Sequence, residues 1–247
     1  MMVEDRRHFE AGGDAYAAHR PSYPATLAEA LAAVAPHRRL VVDAGCGTGQ
    51  LSVLLGACFE AVAAGDVSES QIAAAVAHDR VRYHVAGAEA LPAGDGAAAL
   101  VTAAQAAHWF DLDAFYAECR RVLSPGGVVA LVTYGVTVAP GPIRPRFDRF
   151  YWEEIHGFWP DGRQHVEDGY AALPFPFEPV EAPVLAIERT WDAEALLGYV
   201  ETWSAVKRAR AAGEGAMVDA FAAELRAEWP GRPLPFAWPI SIRLGRV

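Results

Sequence analysis

Residues 40–50 of the chain read Leu-Val-Val-Asp-Ala-Gly-Cys-Gly-Thr-Gly-Gln. A short apolar run that passes directly into a glycine-rich turn predicts a buried strand, a turn and then a helix. The glycines at 45, 47 and 49 carry no Cβ atoms, so a ligand can lie against backbone N–H groups at the carboxyl end of the strand. The stretch therefore predicts a pocket of the nucleotide-binding kind.

The spacing of these glycines narrows the range of possible ligands. A dinucleotide fingerprint requires G-x-G-x-x-G, whereas here the third glycine comes one position early, at Gly49, and Gln50 stands where the dinucleotide glycine should be. An acidic residue, Asp43, lies two positions before the first glycine. A Rossmann oxidoreductase with a nicotinamide cofactor is therefore disfavoured, although it stays among the alternatives.

Composition limits the remaining classes of function. The chain has 247 residues, is 53% hydrophobic and carries a net charge of −10, which favours an α/β domain with a large core and a small-molecule partner over a nucleic acid. No apolar run reaches the roughly 20 residues that span a bilayer, and no signal segment follows the charged start, so we expect a cytoplasmic protein without a membrane partner. Three widely spaced cysteines predict reduced thiols and no metal site.

Short apolar runs alternate with helix-like stretches from residue 40 onward, a pattern typical of βαβ units. The pattern predicts an α/β fold, a Rossmann-like and mostly parallel sheet of seven strands with helices on both faces and an antiparallel last strand. The seven strands are expected at 40–43, 61–65, 82–86, 98–103, 128–134, 184–191 and 239–247. Helices are expected at 25–35, 112–123, 193–210 and 215–229, among others.

The chain is expected to form a single domain, 1–247, with four segments. An N-terminal cap covers 1–38, and the cofactor-binding core covers 39–135. The segment 136–183 holds eight of the 17 prolines and much aromatic surface, which predicts a lid inserted after the fifth strand. Residues 184–247 are expected to supply the strands and helices that complete the sheet.

Ligands of open α/β sheets bind beyond the carboxyl ends of the strands. Asp66 follows the second strand, 21 positions after Gly45, where its carboxylate can accept hydrogen bonds from both ribose hydroxyls. The alternative is that Asp66 caps the next helix, but Ser68 and Gln71 form a capping box that already supplies the cap. Glu89, after the third strand, is equally consistent with a contact to an adenine amino group and with a solvated loop carboxylate.

Five motifs resemble, in order and spacing, the class I S-adenosylmethionine-dependent methyltransferases of the type 11 family. They are residues 43–50, 66–68 (Asp-Val-Ser), 88–92 (Ala-Glu-Ala-Leu-Pro), 108–111 (His-Trp-Phe-Asp) and 121–127 (Arg-Val-Leu-Ser-Pro-Gly-Gly). Residues 16–24 and 198–204 are similar to the trans-aconitate methyltransferase-like branch. One stretch departs from the pattern, because residues 97–99 are alanines where relatives usually carry an aspartate at the start of the fourth strand.

This resemblance implies S-adenosylmethionine as the cofactor, with S-adenosylhomocysteine as its product. Arg20 or Tyr16 is then expected to reach the cofactor's carboxylate, and Gln105, after the fourth strand, is placed to meet its methionine part. The residues predicted to bind the cofactor are Tyr16, Arg20, Asp43, Gly45, Cys46, Gly47, Gly49, Gln50, Asp66, Val67, Gln71, Ala88, Glu89 and Gln105.

The methyl acceptor is expected to contact a second group of side chains: His108, Trp109, Trp152, Tyr170 and Trp203. His108 is the candidate catalytic base, since a phenol or hydroxyl acceptor must lose a proton whereas a carboxylate needs no base. The alternative is that His108 and Trp109 only wall the pocket. An anionic acceptor would need a cation, and the lid offers Arg144, Arg146, Arg149 and Arg163.

The predicted reaction is methyl transfer to a small-molecule acceptor, with a carboxylate among the candidate groups, by in-line displacement in a dry pocket. A protein that binds S-adenosylmethionine without transferring its methyl group, as a sensor or binding module, is the main alternative. The chain is expected to be a monomer or a weak homodimer.

Overall fold

The computed structural model describes residues 21–247 of the chain, so Tyr16 and Arg20 lie outside the described residues. In this range the strands are β1 (Leu40–Ala44), β2 (Ala61–Asp66), β3 (Val81–Val85), β4 (Ala98–Ala104), β5 (Leu123–Tyr134), β6 (Glu178–Val180), β7 (Leu185–Trp191) and β8 (Leu234–Arg246). The helices are α1 (Ala25–Val34), α2 (Gln50–Cys58), α3 (Glu69–Ala73), α4 (Leu112–Val122), α5 (Arg144–Arg149), α6 (Arg163–Glu167), α7 (Ala193–Glu201), α8 (Ser204–Ala211) and α9 (Gly215–Glu228). Short 3₁₀ turns at Ala107–Trp109 and His156–Phe158 and a π-helical turn at Phe150–Glu154 complete the list.

The strands form one sheet in the order β3-β2-β1-β4-β5-β8-β6, and β7 also pairs with β8. Strands β1 to β5 run parallel, whereas β8 runs antiparallel to both β5 and β6. The strand order reverses between β1 and β4, which is the place where open α/β sheets bind their ligands. The mostly parallel sheet with an antiparallel last strand is therefore confirmed.

The sheet differs from the prediction in the number of strands. Eight strands are present among the described residues instead of seven, because β6 had not been expected. This strand has three residues and includes Pro179, so it is too short to show an alternating pattern, and proline cannot donate to a neighbouring strand.

The helix expected at 193–210 is observed as two helices, because the first helix ends at Glu201. The Thr202 hydroxyl donates to the Tyr199 carbonyl oxygen at 2.7 Å, and Trp203 adopts an extended backbone conformation. A threonine side chain that bonds a nearby carbonyl competes with the helical hydrogen-bond pattern. The interruption of the helix is thus accompanied by a local side-chain hydrogen bond. Apolar periodicity alone did not reveal this interruption.

The described residues divide into two compact units. The larger unit contains Ser22–Gly135, Gln164–Leu185 and Ile240–Val247, and the smaller one contains Pro21, Val136–Arg163 and Ala186–Pro239. The proline-rich segment is thus shared between the units, with the division after Arg163. Its role as a lid stays a prediction.

The core of the larger unit is built on the central strands. Strand β4 is buried along nearly all its length, and β5 is buried from residue 128 to 134, as expected for parallel strands covered on both faces. Helix α4 contributes Phe115, Cys119 and Val122 to the same apolar cluster. Its bounds match the prediction to within one residue.

The smaller unit is held together by aromatic rings and one buried cation. Phe150 stacks on Phe221 with ring centroids 3.9 Å apart. Arg146 is buried and forms ion pairs with Glu154 and Glu224, which offsets the cost of removing its charge from water. No helix in residues 21–247 combines the length and the apolar character that crossing a bilayer requires.

Candidate cofactor and active site

The turn between β1 and α2 uses several of its N–H groups internally. Gly45 and Cys46 both donate to the Gly65 carbonyl oxygen, at 2.8 and 3.0 Å, and Gly49 donates to the Cys46 carbonyl oxygen at 2.9 Å. The expectation that a ligand would lie against bare N–H groups is therefore wrong for these three donors. They tie the turn to the end of β2 and to itself.

The carboxylate of Asp66 is fixed in position by two backbone donors. Its Oδ2 atom accepts the Gly47 N–H at 2.9 Å, and its Oδ1 atom accepts the Ser68 N–H at 2.9 Å. Each carboxylate oxygen can accept a further hydrogen bond, and the residue is half-buried. Asp66 thus stands at the carboxyl end of β2 with its orientation set and with acceptor capacity left for two hydroxyl groups.

The predicted capping box is present only in one direction. The Ser68 hydroxyl accepts the Gln71 N–H at 3.3 Å, as a helix N-cap does. The Ser68 N–H, which the box assigns to the Gln71 side chain, donates to Asp66 instead. Asp66 therefore belongs to both the glycine turn and the start of α3, so removing it would loosen each of them.

Two of the three glycines are required by close packing inside the protein. A Cβ atom at Gly45 would come within 2.5 Å of the Ala106 Cβ atom, and one at Gly49 would collide with the Tyr83 hydroxyl. Tyr83 is held there because it donates to the Val76 carbonyl oxygen at 2.7 Å. Sequence reasoning missed Tyr83, which lies 34 residues after the glycine that it covers.

The reason for a glycine at position 47 is different. Among residues 21–247, a Cβ atom there would meet only the Gln71 Oε1 atom within 4 Å, at 3.7 Å, so packing by these residues does not exclude a side chain. Its φ of +54° lies in the left-handed region that favours glycine. The open space above Gly47, beside the Asp66 carboxylate, is where a ligand can approach the backbone.

Asp43 lies under the turn rather than in the open space. It is 1% exposed, and its two oxygens accept the hydroxyls of Ser52 and Thr102 at 2.6 and 2.7 Å. Burial raises the pKa of Asp43 to about 6, although these two hydrogen bonds oppose the rise. Asp43 links β1 to α2 and β4, and its predicted contact with a cofactor stays a prediction.

Two further residues of the turn were predicted to contact the cofactor. Burial, with the carboxylates of Asp43 and Asp66 nearby, raises the pKa of the Cys46 thiol, so this thiol stays protonated. Gln50 is exposed at the first position of α2. All three cysteines of the chain are free thiols.

The loops after β2 and β3 bring apolar and acidic groups together. Val67 is 57% exposed, which is unusual for a valine, whereas Ala88 is buried. Val67 Cγ1 lies 3.7 Å and Glu89 Oε2 lies closer still to the position that a Cβ atom on Gly87 would occupy. An apolar surface next to a carboxylate acceptor has the character that an adenine ring with its amino group requires.

Gln105 connects the ends of β4 and β5. Its amide nitrogen donates to the Tyr134 carbonyl oxygen at 2.9 Å, and its amide oxygen accepts the Thr133 hydroxyl at 2.9 Å. Its φ is +56°, which is rare for a residue with a side chain. Thr133 was not predicted from the sequence. The signal that could have indicated it is a hydroxyl side chain directly after the apolar run 128–132.

His108 and Tyr170 are in direct contact. The His108 Nδ1 atom lies 2.8 Å from the Tyr170 hydroxyl oxygen, and the His108 ring also contacts Trp109, with centroids 4.8 Å apart. Tyr170 is fully buried, which raises the pKa of its phenol. The structure thus brings together three of the five residues predicted for the substrate side.

The other two predicted substrate residues lie in the smaller unit. Trp203 is 4% exposed and packs against Tyr151 and Trp159, with ring centroids 5.5 Å away in each case. Trp152 is 49% exposed and contacts Tyr151 edge-on. Within the described part of the chain, the indole N–H groups of Trp159 and Trp203 are buried without a hydrogen-bond partner.

The four arginines considered for an anionic acceptor have distinct surroundings in the smaller unit. Three of them form ion pairs with carboxylates: Arg144 with Asp148, and both Arg146 and Arg149 with Glu154 and Glu224. Arg163 donates to the Tyr151 hydroxyl and stacks on the Trp159 ring, 4.2 Å from its centroid.

The geometry around Asp66 fits a cofactor with a ribose and no pyrophosphate better than a dinucleotide. Asp66 retains acceptor capacity for ribose hydroxyls, and the space above Gly47 admits a ligand. Three N–H groups of this turn, at Gly45, Cys46 and Gly49, are engaged within the protein and so are not available to a pyrophosphate. In residues 21–247, no three His, Cys, Asp or Glu side chains cluster as metal ligands.

Comparisons with known proteins agree with this geometry. The family model Methyltransf_11, described as a methyltransferase domain, matches residues 42–131. A protein of Dictyostelium discoideum named "Putative methyltransferase" is 30% identical over 193 residues, which cover 76% of this chain and 73% of that protein. A solved structure described as a "Putative Type II Methyltransferase" from Anaeromyxobacter dehalogenans is 47% identical, with a TM-score of 0.87, and the match covers 92% of this chain and 97% of that chain.

A malonyl-[acyl-carrier protein] O-methyltransferase of Methylococcus capsulatus is also similar, at 34% identity over 131 residues. The match covers 50% of this chain and 48% of that protein, so the chain spans about half the length of that relative. Taken with the glycine turn and the fixed Asp66 carboxylate, these matches show that the chain belongs to the type 11 methyltransferases, with S-adenosylmethionine as its cofactor.

Proposed function

We propose that this chain transfers the methyl group of S-adenosylmethionine to a small-molecule acceptor by in-line displacement, and that the acceptor group is a carboxylate. The observation that carries the proposal is the Asp66 carboxylate, held by the Gly47 and Ser68 N–H groups at the carboxyl end of β2. When bound, the cofactor supplies a methyl group on a positively charged sulfur, which is activated before the protein acts on it.

The task of the protein's own residues is then to bind, orient and exclude water. Asp66 would accept the ribose hydroxyls, and Gly47 would let the cofactor approach the backbone. Val67 would pack on the adenine ring, and Glu89 would accept hydrogen from its amino group. These contacts position a reagent whose reactivity needs no further acid or base.

A carboxylate acceptor is supported by two arguments of different kinds. The trans-aconitate branch that residues 16–24 and 198–204 resemble acts on a carboxylate, and several relatives are named as malonyl O-methyltransferases. A carboxylate oxygen also has its lone pairs available without losing a proton.

The proposal is tested by incubating the protein with methyl-labelled S-adenosylmethionine and a panel of carboxylic acids, phenols and amines. We expect label in a carboxylic acid, released by mild alkali as a methyl ester would be. Label found only in phenols or amines would contradict the carboxylate assignment.

A thermal-shift measurement separates binding from transfer. S-adenosylhomocysteine at about 100 times its Kd should raise the Tm by about 5–10 °C, because a ligand that binds only the folded state stabilises it, and a nicotinamide dinucleotide should not. A shift with S-adenosylhomocysteine but no labelled product from any acceptor would favour a sensor or binding module instead.

A further inference from the structure

Arg121 begins the motif 121–127, which lies outside the contacts proposed for the cofactor. We propose that Arg121 and Glu118 are positioning residues for the cofactor, because together they hold the loop 86–97. Their effect is that Glu89 on this loop meets the adenine amino group, which sets the preference of the site for adenine. The inference rests on the proposed function, since that function makes Glu89 the acceptor for this amino group.

The loop 86–97 connects β3 to β4 and has no helix or strand of its own to fix its shape. Its first residue, Ala86, donates its N–H to the Asp66 carbonyl oxygen at 3.0 Å, and Leu91 is buried in the apolar core. Glu89 lies between these two anchors and is exposed, so a ligand can reach it. The position of the Glu89 carboxylate therefore depends on what holds the rest of the loop.

Arg121 uses all five of its N–H donors on this loop and on Glu118. Its Nε atom donates to Glu118 Oε1 at 2.7 Å, and its Nη2 atom donates to Glu118 Oε2 at 2.6 Å and to the Leu91 carbonyl oxygen at 3.2 Å. Its Nη1 atom donates to the Ala93 carbonyl oxygen and to an Asp95 carboxylate oxygen, each at 2.9 Å. Because the donors of a guanidinium group lie in one fixed plane, these bonds set the orientation of the loop relative to α4.

Glu118 completes the attachment from the same helix. Its Oε2 atom accepts the Leu91 N–H at 2.9 Å, so the N–H and the carbonyl group of Leu91 both bond to this ion pair. The Arg121 carbonyl oxygen accepts the Gly96 N–H at 2.9 Å, which fixes the loop near its end. Hydrogen bonds from Arg121 hold the pKa of Glu118 below its ordinary value, so the pair stays charged near neutral pH.

The attachment to α4 is transmitted to Glu89 through a tight turn. The Ala90 N–H donates to the Gly87 carbonyl oxygen at 3.2 Å, which closes a turn that contains Glu89, and Leu91 directly follows this turn. A Cβ atom at Gly87 would collide with Glu89 Oε2, so the glycine leaves room for the carboxylate. With Leu91 held on α4, the turn and its carboxylate are held as well.

The surroundings of this ion pair differ from those of an ordinary surface pair, which contributes little to stability. Arg210, for example, pairs with Glu201 and Asp219, and these three residues lie on helices that have their own hydrogen bonds. Arg121 and Glu118 instead bond backbone groups of a segment without regular structure. The placement therefore favours a role in positioning the loop over a role in surface charge alone.

The test compares two ligands of nearly the same shape, S-adenosylhomocysteine and its analogue that lacks the 6-amino group of the purine ring. Calorimetric titration gives the Kd of each. The wild type should bind S-adenosylhomocysteine about 10-fold more tightly than the analogue, as expected of one hydrogen bond to a charged acceptor. Glu89→Ala should abolish this preference, because it removes the acceptor.

Two variants remove the positioning contacts and leave Glu89 in place. Arg121→Lys keeps the charge but lacks the planar set of donors, and Glu118→Ala removes the acceptor of the Leu91 N–H. In each variant the preference should fall to about twofold or less, because S-adenosylhomocysteine binds more weakly while the Kd of the analogue hardly changes. A role in stability alone would lower the free energy of unfolding and leave the preference unchanged.

Arg210→Lys is the matched control. It makes the same exchange at an arginine of the smaller unit that also bonds two carboxylates, and it should leave both Kd values unchanged. A wild type without a preference for the amino group, or an unchanged preference in folded Arg121→Lys or Glu118→Ala, would overturn the proposal.

Hydrogen exchange in the wild type keeps the proposal falsifiable if neither variant folds. The bond from the Leu91 N–H to Glu118 predicts that this amide exchanges slowly although it lies in a loop. Exchange at the rate of an open loop would overturn the proposal.

These measurements need no methyl acceptor, so failure of the labelled-methyl assay would leave the preference for adenine intact. Glu89→Ala separates the remaining outcomes. An unchanged preference in Glu89→Ala would contradict the role of Glu89 as the acceptor. A preference that is lost in Glu89→Ala but kept in Arg121→Lys would contradict the positioning role and leave the proposed function intact.

Discussion

The two units use their polar side chains in different ways. In the larger unit, Asp66 and Gln105 lie at the carboxyl ends of strands and bond to the backbone of neighbouring segments. In the smaller unit, the buried Arg146 pairs with Glu154 and Glu224, and aromatic rings pack on one another. The larger unit thus fixes these polar side chains at the edge where open α/β sheets bind ligands, whereas the charged side chains named in the smaller unit pair with one another.

The largest effect should come from a side chain added above the glycine turn. Gly47→Val places a branched side chain in the space beside Asp66, so binding of S-adenosylhomocysteine should be lost, with the Kd raised at least about 100-fold, or more than roughly 2.7 kcal/mol. Calorimetric titration measures this directly.

Gly231→Val is the matched control in the smaller unit. Gly231 also has a positive φ, +71°, and no described residue lies within 4 Å of an added Cβ atom, so a side chain there meets a similar backbone strain, about 1–2 kcal/mol. Both variants should lose stability by similar amounts, and only Gly47→Val should lose the ligand. Equal binding of S-adenosylhomocysteine by the two variants would contradict the assignment of the ligand site to the larger unit.

A second test uses the buried carboxylate of the larger unit. Asp43 has a pKa of about 6 in the folded chain, against an ordinary value of 3.8, so the folded state holds the proton more tightly than the unfolded state. Its contribution to stability is present below about pH 4 and is lost as the pH rises through 6, about 3 kcal/mol in total.

Asp43→Asn removes this dependence. Between about pH 5 and pH 7.5, the free energy of unfolding of the wild type should fall relative to the variant by about 1 kcal/mol, as measured by urea unfolding. Asp192→Asn makes the same change of charge at a helix N-cap of the smaller unit and should run parallel to the wild type. Parallel curves for wild type and Asp43→Asn would show that Asp43 is not held in this way.

The sheet was predictable from sequence because its signals are local. Apolar runs such as 98–103 and 128–134 predict buried strands, and the spacing from Gly45 to Asp66 places the carboxylate at the end of β2. The glycine turn and Asp66 could therefore be identified from the order of the residues alone. Strand β6 was missed because three residues carry no periodicity.

The rest of the site depends on contacts that local patterns do not contain. Tyr170 contacts His108, which lies 62 residues earlier in the sequence, and Thr133 hydrogen-bonds to Gln105, which lies 28 residues earlier. The sequence assigned Tyr170 to the predicted lid because of its aromatic ring. It could not identify the residues that Tyr170 contacts. Asp43 matched a cofactor motif, yet its hydroxyl partners Ser52 and Thr102 became visible only once the strands were paired.

The affinity of Asp66→Ala for S-adenosylhomocysteine tests the cofactor site most directly. Asp192→Ala is the control, since Asp192 also accepts a backbone N–H at a helix start, at 2.9 Å, but in the smaller unit. The loss of charged hydrogen bonds predicts a Kd raised roughly 10- to 100-fold in Asp66→Ala and unchanged in Asp192→Ala. Wild-type affinity in a folded Asp66→Ala protein would contradict the role of Asp66 as the acceptor for the cofactor's ribose.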